Sequence, residues 1–174
     1  MKKILSIGSG ISTPQENVTR LDISEEAAPD VVWDLNNGPY PFESSSFDII
    51  ECYDVIEHVE NIPFVMGECF RLLKCKGIFE ITTPHFSSAN SFIDPTHRYH
   101  LSYYSMDCFS DEHEYSYYSK SRYRILERKI MFDGNIIRKW FCTKLFNRFP
   151  KFYETRLAWI FPAWFIYFKL EAVK

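Results

Sequence analysis

The segment that follows Pro84 holds three of the five histidines of the chain, together with an aspartate and several hydroxyl side chains. An imidazole titrates near neutral pH, so His85, His97 and His100 are well suited to take a proton from a reacting group. Asp94 precedes His97 by three residues and is placed to orient its ring. We predict a general-base site here, with His97 as the base, His85 as the second choice and Asp94 as the supporting carboxylate.

Two other interpretations of this segment stay open. At positions i, i+3 and i+6, Asp94, His97 and His100 would meet on one face of a helix and bind a divalent ion. Pro95 disfavours a regular helix there, so the sequence predicts no metal. In a purely structural interpretation, Asp94 and Thr96 form a turn, and the histidines are hydrogen-bonding spacers.

A glycine-containing turn near the N-terminus is the second candidate feature. "SIGSG", residues 6–10, ends one apolar run, and Asp22 ends the next. Glycines let the backbone approach a ligand closely, and an acid in this place accepts hydrogen bonds from ribose hydroxyls. A dinucleotide would also need a helix N-terminus for its pyrophosphate and a third glycine, yet only residues 11–17 precede Val18, and Pro14 is among them. The pattern therefore favours S-adenosylmethionine, which has an adenosine but no phosphate, over NAD or FAD.

Further polar residues close the following apolar runs. Asp34 can accept a hydrogen bond from an adenine amino group while Leu35 covers the ring. "CYDVIEHV" brings Tyr53, Asp54, Glu57 and His58 to the same predicted sheet edge. Each has a plain structural alternative, because strand-end acids cap turns, "DLNNG" favours an Asx turn, and a histidine can simply be packed.

Short apolar runs predict the strands that hold these residues at one edge. They are "KKILSIG", "VTRLDIS", "PDVVWDL", "FDIIECYD" and "GIFEITTP". Their continuous apolar character indicates a parallel sheet buried on both faces, and residues 59–77 predict a crossover helix before the fifth strand. Two C-terminal runs joined by a helix in "IIRKWFCTKLFNRF" predict further strands. We expect an α/β fold, mostly parallel with an antiparallel C-terminal strand, whose first crossover helix is missing or very short.

Composition limits the functions of the chain. Its 174 residues predict one domain, residues 1–174. A net charge of -3 at pH 7 gives no general basic field for phosphates, so we expect no nucleic-acid partner. Five cysteines without a C-x-x-C pair, and a short apolar start that lacks a signal-peptide core, predict a reduced, cytoplasmic protein.

Aromatic residues, 18% of the chain, exceed the usual content of a soluble protein. Those from Tyr99 to Tyr118 predict a lid within residues 85–125, on the side of the site where the molecule that reacts would bind. Core or subunit contacts would use these aromatic residues equally well. The tract "LAWIFPAWFIYF", residues 157–168, is shorter than the roughly 18 residues that span a bilayer. It predicts core, a peripheral membrane contact or a homo-oligomer contact.

Together these motifs resemble those of the class I S-adenosylmethionine-dependent methyltransferases. The ordered set is "SIGSG", "LDIS", "VVWDLN", "PYPFESSSFDIIECYDVIEHV", "ECFRLLKCKGIFEITTPHFSS" and "DPTHRYHLSYYS". It is most similar to a small bacterial subgroup with a shortened first crossover and an Asp-Pro-Thr-His loop, often met in polysaccharide and cell-surface biosynthesis. The resemblance covers most of Lys3 to Ser110.

The resemblance implies a Rossmann-like fold and a residue-by-residue cofactor site. The glycine turn would line the methionine side, Asp22 would bind the ribose, Asp34 and Leu35 the adenine, and Tyr53 with Asp54 would form the wall beneath the sulfonium. The whole predicted cofactor set is Gly8, Ser9, Gly10, Asp22, Ile23, Asp34, Leu35, Tyr53, Asp54 and His58.

The activity that the resemblance implies is methyl transfer from S-adenosylmethionine. The acceptor would be an oxygen or nitrogen of a polar small molecule or of a cell-surface glycan precursor. The alternative is a non-catalytic binding or accessory protein of the same fold in surface polysaccharide biosynthesis.

Overall fold

The described strands form one seven-stranded sheet. The structure is a computed structural model, and it describes residues 1–110, 117 and 119–174. The strands are β1 (Ile4–Ile7), β2 (Val18–Asp22), β3 (Val31–Val32), β4 (Phe47–Tyr53), β5 (Leu73–Pro84), β6 (Tyr123–Met131) and β7 (Phe165–Ala172). The helices are α1 (Ile62–Leu72), α2 (Asn90–Ile93), α3 (Ile136–Arg148) and α4 (Pro150–Phe152), with short 3-10 turns at Glu25–Ala27 and Asp107–Phe109 and a π-helical turn at Tyr153–Leu157.

The sheet has the order β3-β2-β1-β4-β5-β7-β6. β1 to β5 pair in parallel, and β7 runs antiparallel to both β5 and β6. The prediction of a mostly parallel sheet with an antiparallel C-terminal strand is confirmed. The strand order reverses between β1 and β4. Open α/β sheets bind ligands in the crevice that such a reversal leaves at the carboxyl ends of the two strands.

The first crossover contains no helix, as predicted. Within residues 1–110, which are all described, the chain passes from Ile7 to Val18 through bends and turns alone. The crossover before β5 is α1. Asn61 is its N-cap, and the Asn61 side chain accepts a hydrogen bond from the Phe64 N–H. The helix buries Val65 on its inner side. The predicted end of this helix at Gly77 was too late, because the backbone is already extended at Leu73.

The prediction that the strands are buried on both faces was wrong. One face, built from residues such as Leu5, Ile50, Phe79 and Phe168, is fully buried. The other face carries a cross-strand row of Ser6, Glu51, Glu80 and Lys169, in which the Lys169 ammonium lies 3.0 Å from a Glu80 oxygen. The strands alternate apolar and polar residues, and that alternation indicates one solvated face.

The C-terminal part confirms the two predicted strands and the helix between them. α3 precedes α4 and the π-helical turn, and β7 inserts between β5 and β6. In the ranges that the structure describes, no helix is long and apolar enough to cross a membrane. Tyr115 and Tyr118 of the predicted lid lie outside the described residues.

Candidate active site

A cavity of about 360 Å³ opens at the carboxyl ends of the strands beside the reversal in strand order. Seven residues of the predicted cofactor set line it, and so do four that the sequence reasoning did not select. The predicted ones are Gly8, Asp22, Ile23, Asp34, Leu35, Asp54 and His58, and the additional ones are Trp33, Asn36, Val55 and Val59.

The glycine turn after β1 brings backbone to the cavity wall where a side chain would not fit. Gly8 has a φ of +61°, and a Cβ added there would lie 2.3 Å from Cγ2 of Val55. Gly10 also has a positive φ, +52°, but an added Cβ would meet no atom within 4 Å. Conformation therefore favours glycine at both positions, and the lack of space requires it only at Gly8.

Asp22 ties the glycine turn to the end of β2. Its Oδ2 accepts a hydrogen bond from the Gly10 N–H at 2.8 Å, and its Oδ1 accepts one from the Ser24 N–H at 2.9 Å. An ionised carboxylate has about four acceptor positions, so the two backbone bonds leave capacity for ligand hydroxyls. The cap and the predicted ribose contact are therefore compatible.

Asp34 lines the cavity and also forms the turn that its sequence favours. Its Oδ1 accepts from the Asn36 N–H at 2.9 Å, and the Asn37 side chain donates to Oδ2 at 3.3 Å. The Trp33 indole donates to the Asn37 carbonyl at 3.0 Å, which fixes this large ring beside the cavity. The sequence reasoning did not select Trp33. Its large ring, directly before the candidate adenine contact Asp34, was the feature that could have identified it.

Three members of the predicted cofactor set lie outside the cavity lining: Ser9, Gly10 and Tyr53. The Tyr53 hydroxyl donates to Glu80 at 3.1 Å on the polar face of the sheet, and the side chain is 42% exposed. Tyr53 therefore does not form the predicted wall. Ser9 stays close to the turn, and its buried hydroxyl has no hydrogen-bond partner among the described residues.

His97 meets two residues of the segment between β4 and α1, Glu57 and His58, beside the cavity. Its Nε2 lies 3.9 Å from Oε1 of Glu57, and its ring centroid lies 4.5 Å from that of His58. Its Nδ1 lies 3.2 Å from the Ser91 carbonyl oxygen, which can only accept, so Nδ1 carries the proton. Neutral His97 consequently has its lone pair on Nε2, the nitrogen that faces Glu57.

Asp94 does not orient His97, contrary to the prediction. Its Oδ1 accepts from the Thr96 N–H at 2.8 Å and from the Thr96 hydroxyl at 2.7 Å, so Asp94 closes the expected turn. Thr96 Oγ1 in turn lies 2.8 Å from Nδ1 of His58. Asp94 therefore acts on His58 through Thr96, and the Ser91 carbonyl orients His97.

Burial changes the acidity of the groups around His97. It raises the pKa of Glu57 and of Asp54 above their ordinary values. Burial, followed by the nearby charge of His97, lowers the pKa of His58. The hydrogen bonds from Thr96 hold the pKa of Asp94 below its usual range.

His85, the second choice for the base, lies in the core. It is fully buried; its Nε2 donates to Glu154 Oε1 at 3.0 Å, and its Nδ1 accepts from the Ser87 N–H at 3.2 Å. With both ring nitrogens bonded, it has no free position for an acceptor. His85 connects the loop after β5 to the C-terminal π-helical turn.

The predicted alternative metal set is not assembled either. Asp94 is bonded to Thr96, and His100 bonds the Ser91 hydroxyl at 2.8 Å through its Nδ1. Among the residues that the structure describes, the group with metal-ligand spacing is Glu57, His58 and His97. Only His97 belongs to both sets.

Comparison with known proteins agrees with this geometry. Residues 6–81 match a protein-family model described as a methyltransferase domain. Demethylmenaquinone methyltransferase of Tropheryma whipplei, in strains Twist and TW08/27, is 27% identical over 119 residues, which cover 59% of this chain and 49% of that protein. The chain thus spans about half the length of these curated relatives.

Solved structures share the fold across nearly the whole chain. An S-adenosylmethionine-dependent methyltransferase from Mesorhizobium loti is 13% identical, with a TM-score of 0.64, over 98% of this chain and 90% of that one. The [4+2]-cyclase SpnF is 14% identical, with a TM-score of 0.62, over 99% of this chain and 75% of that one. At such identities the likeness shows the fold alone, and the cyclase illustrates that the fold hosts other reactions.

Proposed function

Because residues 6–81 match a methyltransferase domain and the chain has the fold of class I S-adenosylmethionine-dependent methyltransferases, we propose that the protein transfers a methyl group from S-adenosylmethionine to an oxygen or nitrogen of an acceptor. The observation that carries the proposal is the position of His97. Its free Nε2 lies next to His58, and His58 lines the cavity that the glycine turn and two strand-end acids also form.

The residues of the cavity fit the cofactor that the family implies. Gly8 presents backbone without a side chain at the cavity wall, the unpaired Ser9 hydroxyl is next to it, and Asp22 retains acceptor capacity. Trp33 and Asp34 line the cavity, and we assign them to the adenine. NAD fits poorly, because no helix N-terminus follows the turn to receive a pyrophosphate.

His97 would receive the acceptor proton. When bound, S-adenosylmethionine supplies an electrophilic methyl group on a sulfonium. Positioning the acceptor next to it supplies most of the acceleration, while a base adds about 10²–10⁴-fold. Glu57 stands at Nε2 of His97, where its negative charge would stabilise the imidazolium.

The acceptor class that we favour is a polar small molecule or a cell-surface glycan precursor. The acids and imidazoles of Asp54, Glu57, His58 and His97 support a hydrogen-bonding acceptor. Five free cysteines support a cytoplasmic location. The curated relative is named for demethylmenaquinone, so that compound is the acceptor to compare.

Two measurements test the proposal. Titration calorimetry should give binding of S-adenosylmethionine or its demethylated product and none of NAD; tight NAD binding would overturn the cofactor assignment. Mass detection of methylated product from nucleotide sugars, other polar compounds and demethylmenaquinone, with release of S-adenosylhomocysteine as the rate, then identifies the acceptor. Cofactor binding without turnover on any acceptor favours the non-catalytic accessory protein.

A further inference from the structure

Three side chains that can ligate a metal ion meet beside the cavity. One ligand atom of each of Glu57, His58 and His97 lies within 4.8 Å of the other two. Glu57 is only 1% exposed, and neither of its carboxylate oxygens makes a well-formed hydrogen bond among the described residues, although the buried Thr83 hydroxyl, itself without another partner, lies near it. A buried carboxylate without a partner is costly, so this arrangement calls for a cation or another donor.

The hydrogen bonds around the two imidazoles leave a lone pair on each. The Thr96 hydroxyl gives its proton to Asp94, so it accepts one from Nδ1 of His58. His97 gives its Nδ1 proton to the Ser91 carbonyl. A metal-ligating histidine commonly donates its other N–H to a carboxylate, a carbonyl or a similar acceptor, which fixes the ring and its tautomer. Both rings have such an acceptor on Nδ1.

We propose that Glu57, His58 and His97 bind a divalent transition-metal ion, with zinc as the best match. Two imidazoles and one carboxylate form a known catalytic zinc ligand set, and such a set leaves a coordination position open. His58 also lines the cofactor cavity, which places the ion at the border between cofactor and acceptor. If the proposed methyl transfer is correct, the open position would hold the acceptor hydroxyl and the ion would lower its pKa in place of a base, because Nε2 of His97 cannot ligate the ion and take the acceptor proton at once. In the metal-free chain His97 keeps the role of base, and the metal site itself does not depend on that function.

Titration of the metal-free full chain with Co²⁺, a visible-light probe for zinc sites, tests the inference. We expect a single equivalent to bind with a visible absorption band that Zn²⁺ displaces. Glu57→Gln keeps the shape of the side chain and should weaken Co²⁺ binding by more than ~10-fold, since altering even an outer partner costs about 10–100-fold. His97→Asn should have the same effect.

His100→Asn is the matched control, because His100 lies in the same loop outside the three-residue group, and it should bind Co²⁺ like the unmodified chain. Circular dichroism and S-adenosylhomocysteine affinity check that each variant is folded. Absent Co²⁺ binding, or unchanged binding by folded Glu57→Gln, overturns the metal site while the proposed methyl transfer stands. Loss of binding in His100→Asn alone would instead favour the Asp94, His97 and His100 set.

A separate observation concerns large apolar side chains that α3 and the following turns expose. This aromatic surface consists of Trp140, Phe141, Phe149, Phe152, Trp159 and Phe161, each at least 44% exposed. Beneath them, the ring of buried Phe146 lies 4.5 Å from Tyr153 and 6.1 Å from Phe161, which joins α3 to the later turns as one surface. A helix that is apolar on its outer side as well as its inner side favours a covering partner.

The charges on this segment indicate which partner. Residues 136–164 contain six lysines and arginines and one acid, in a chain whose net charge is -3. The single acid, Glu154, is bonded to buried His85 and to the Tyr103 N–H, so it does not offset exposed cations such as Lys144 and Lys151. Asp133, just before the segment, lies 3.6 Å from the Lys139 ammonium and offsets that one. Lys144 lies over the ring of Trp140 at 5.0 Å. Basic residues among tryptophans and phenylalanines are typical of helices that lie in a membrane interface.

We infer that the aromatic surface docks on an anionic lipid bilayer. The same surface reaches the acceptor side, since the Trp159 ring lies 5.6 Å from that of Phe86 in the loop after β5. Docking would therefore hold the loop after β5 at the lipid surface, where a lipid-linked acceptor is available.

Sedimentation with vesicles tests the docking. Phosphatidylglycerol vesicles should carry the full chain down, phosphatidylcholine vesicles should not, and added salt should release it. Trp159→Ala and Lys144→Glu should each reduce bound protein several-fold, whereas Ile11→Ala and Lys129→Glu, exposed residues outside the surface, should not. No binding to phosphatidylglycerol overturns the inference, and so does a concentration-dependent dimer that Trp159→Ala abolishes, because a second copy would then cover the surface.

Discussion

Replacement of Gly8 by alanine tests how tightly the glycine turn is packed against the cavity wall. A residue with a side chain at a φ of +61° costs about 1–2 kcal/mol. The added Cβ would also lie 2.3 Å from Val55 Cγ2 and 2.8 Å from its Cγ1, so Val55 must move. Overpacking of this kind costs about 1–3 kcal/mol. We expect Gly8→Ala to lower the free energy of unfolding by about 2–5 kcal/mol.

Gly10→Ala is the matched comparison, because its φ of +52° gives similar strain while the added Cβ meets no atom within 4 Å. Its expected loss is the strain alone, about 1–2 kcal/mol. Urea unfolding of both variants measures the difference, and each kcal/mol corresponds to a fall of about 2–4 °C in melting temperature for a chain of this size. Calorimetry should also show weaker S-adenosylhomocysteine binding by Gly8→Ala, since Val55 lines the cavity. Equal losses of stability in the two variants would refute the reasoning from the Val55 contact.

Three further predictions follow from the polar contacts. His97→Gln should lower turnover by about 10²–10⁴-fold and leave S-adenosylhomocysteine affinity unchanged, as steady-state kinetics and calorimetry would measure; parallel losses of affinity and turnover would assign His97 to the loop structure. His85→Ala should cost about 1–3 kcal/mol in urea unfolding, because it removes one of the two hydrogen bonds of partly buried Glu154 and leaves the Tyr103 N–H as the other; a rate loss at unchanged stability would restore His85 as a base. The hydrogen bond from Arg71 lowers the pKa of Glu68 below its ordinary 4.5, so the ionised carboxylate stabilises the fold above that pH, and this stabilisation is lost as the pH falls. Between about pH 7 and about pH 3 the free energy of unfolding should therefore fall less steeply in Glu68→Gln than in the unmodified chain. Identical slopes would contradict this.

The lining of the cavity could largely be predicted from the sequence, because most of the residues that line it lie at the end of a strand. Gly8, Asp22 and Asp34 follow apolar runs, and the parallel order of those runs brings their ends to one edge. The missing first crossover helix followed from counting seven residues between Gly10 and Val18. Tyr53 was misplaced because a one-residue step along a strand sends a side chain to the opposite face of the sheet.

The tertiary structure alone decided the surroundings of each histidine. His85, Asp94 and His97 are close in sequence, and the two histidines are chemically alike. Yet His85 is buried against Glu154, Asp94 closes an exposed turn, and His97 meets Glu57 beside the cavity. Their distances from Glu57 and Glu154 depend on contacts across 40 and 69 positions of the chain, which no local pattern encodes. Periodicity and turn chemistry are short-range properties, so they determined the strands and the glycine turn, whereas the partner of each histidine was determined by how the loop after β5 packs against the rest of the fold.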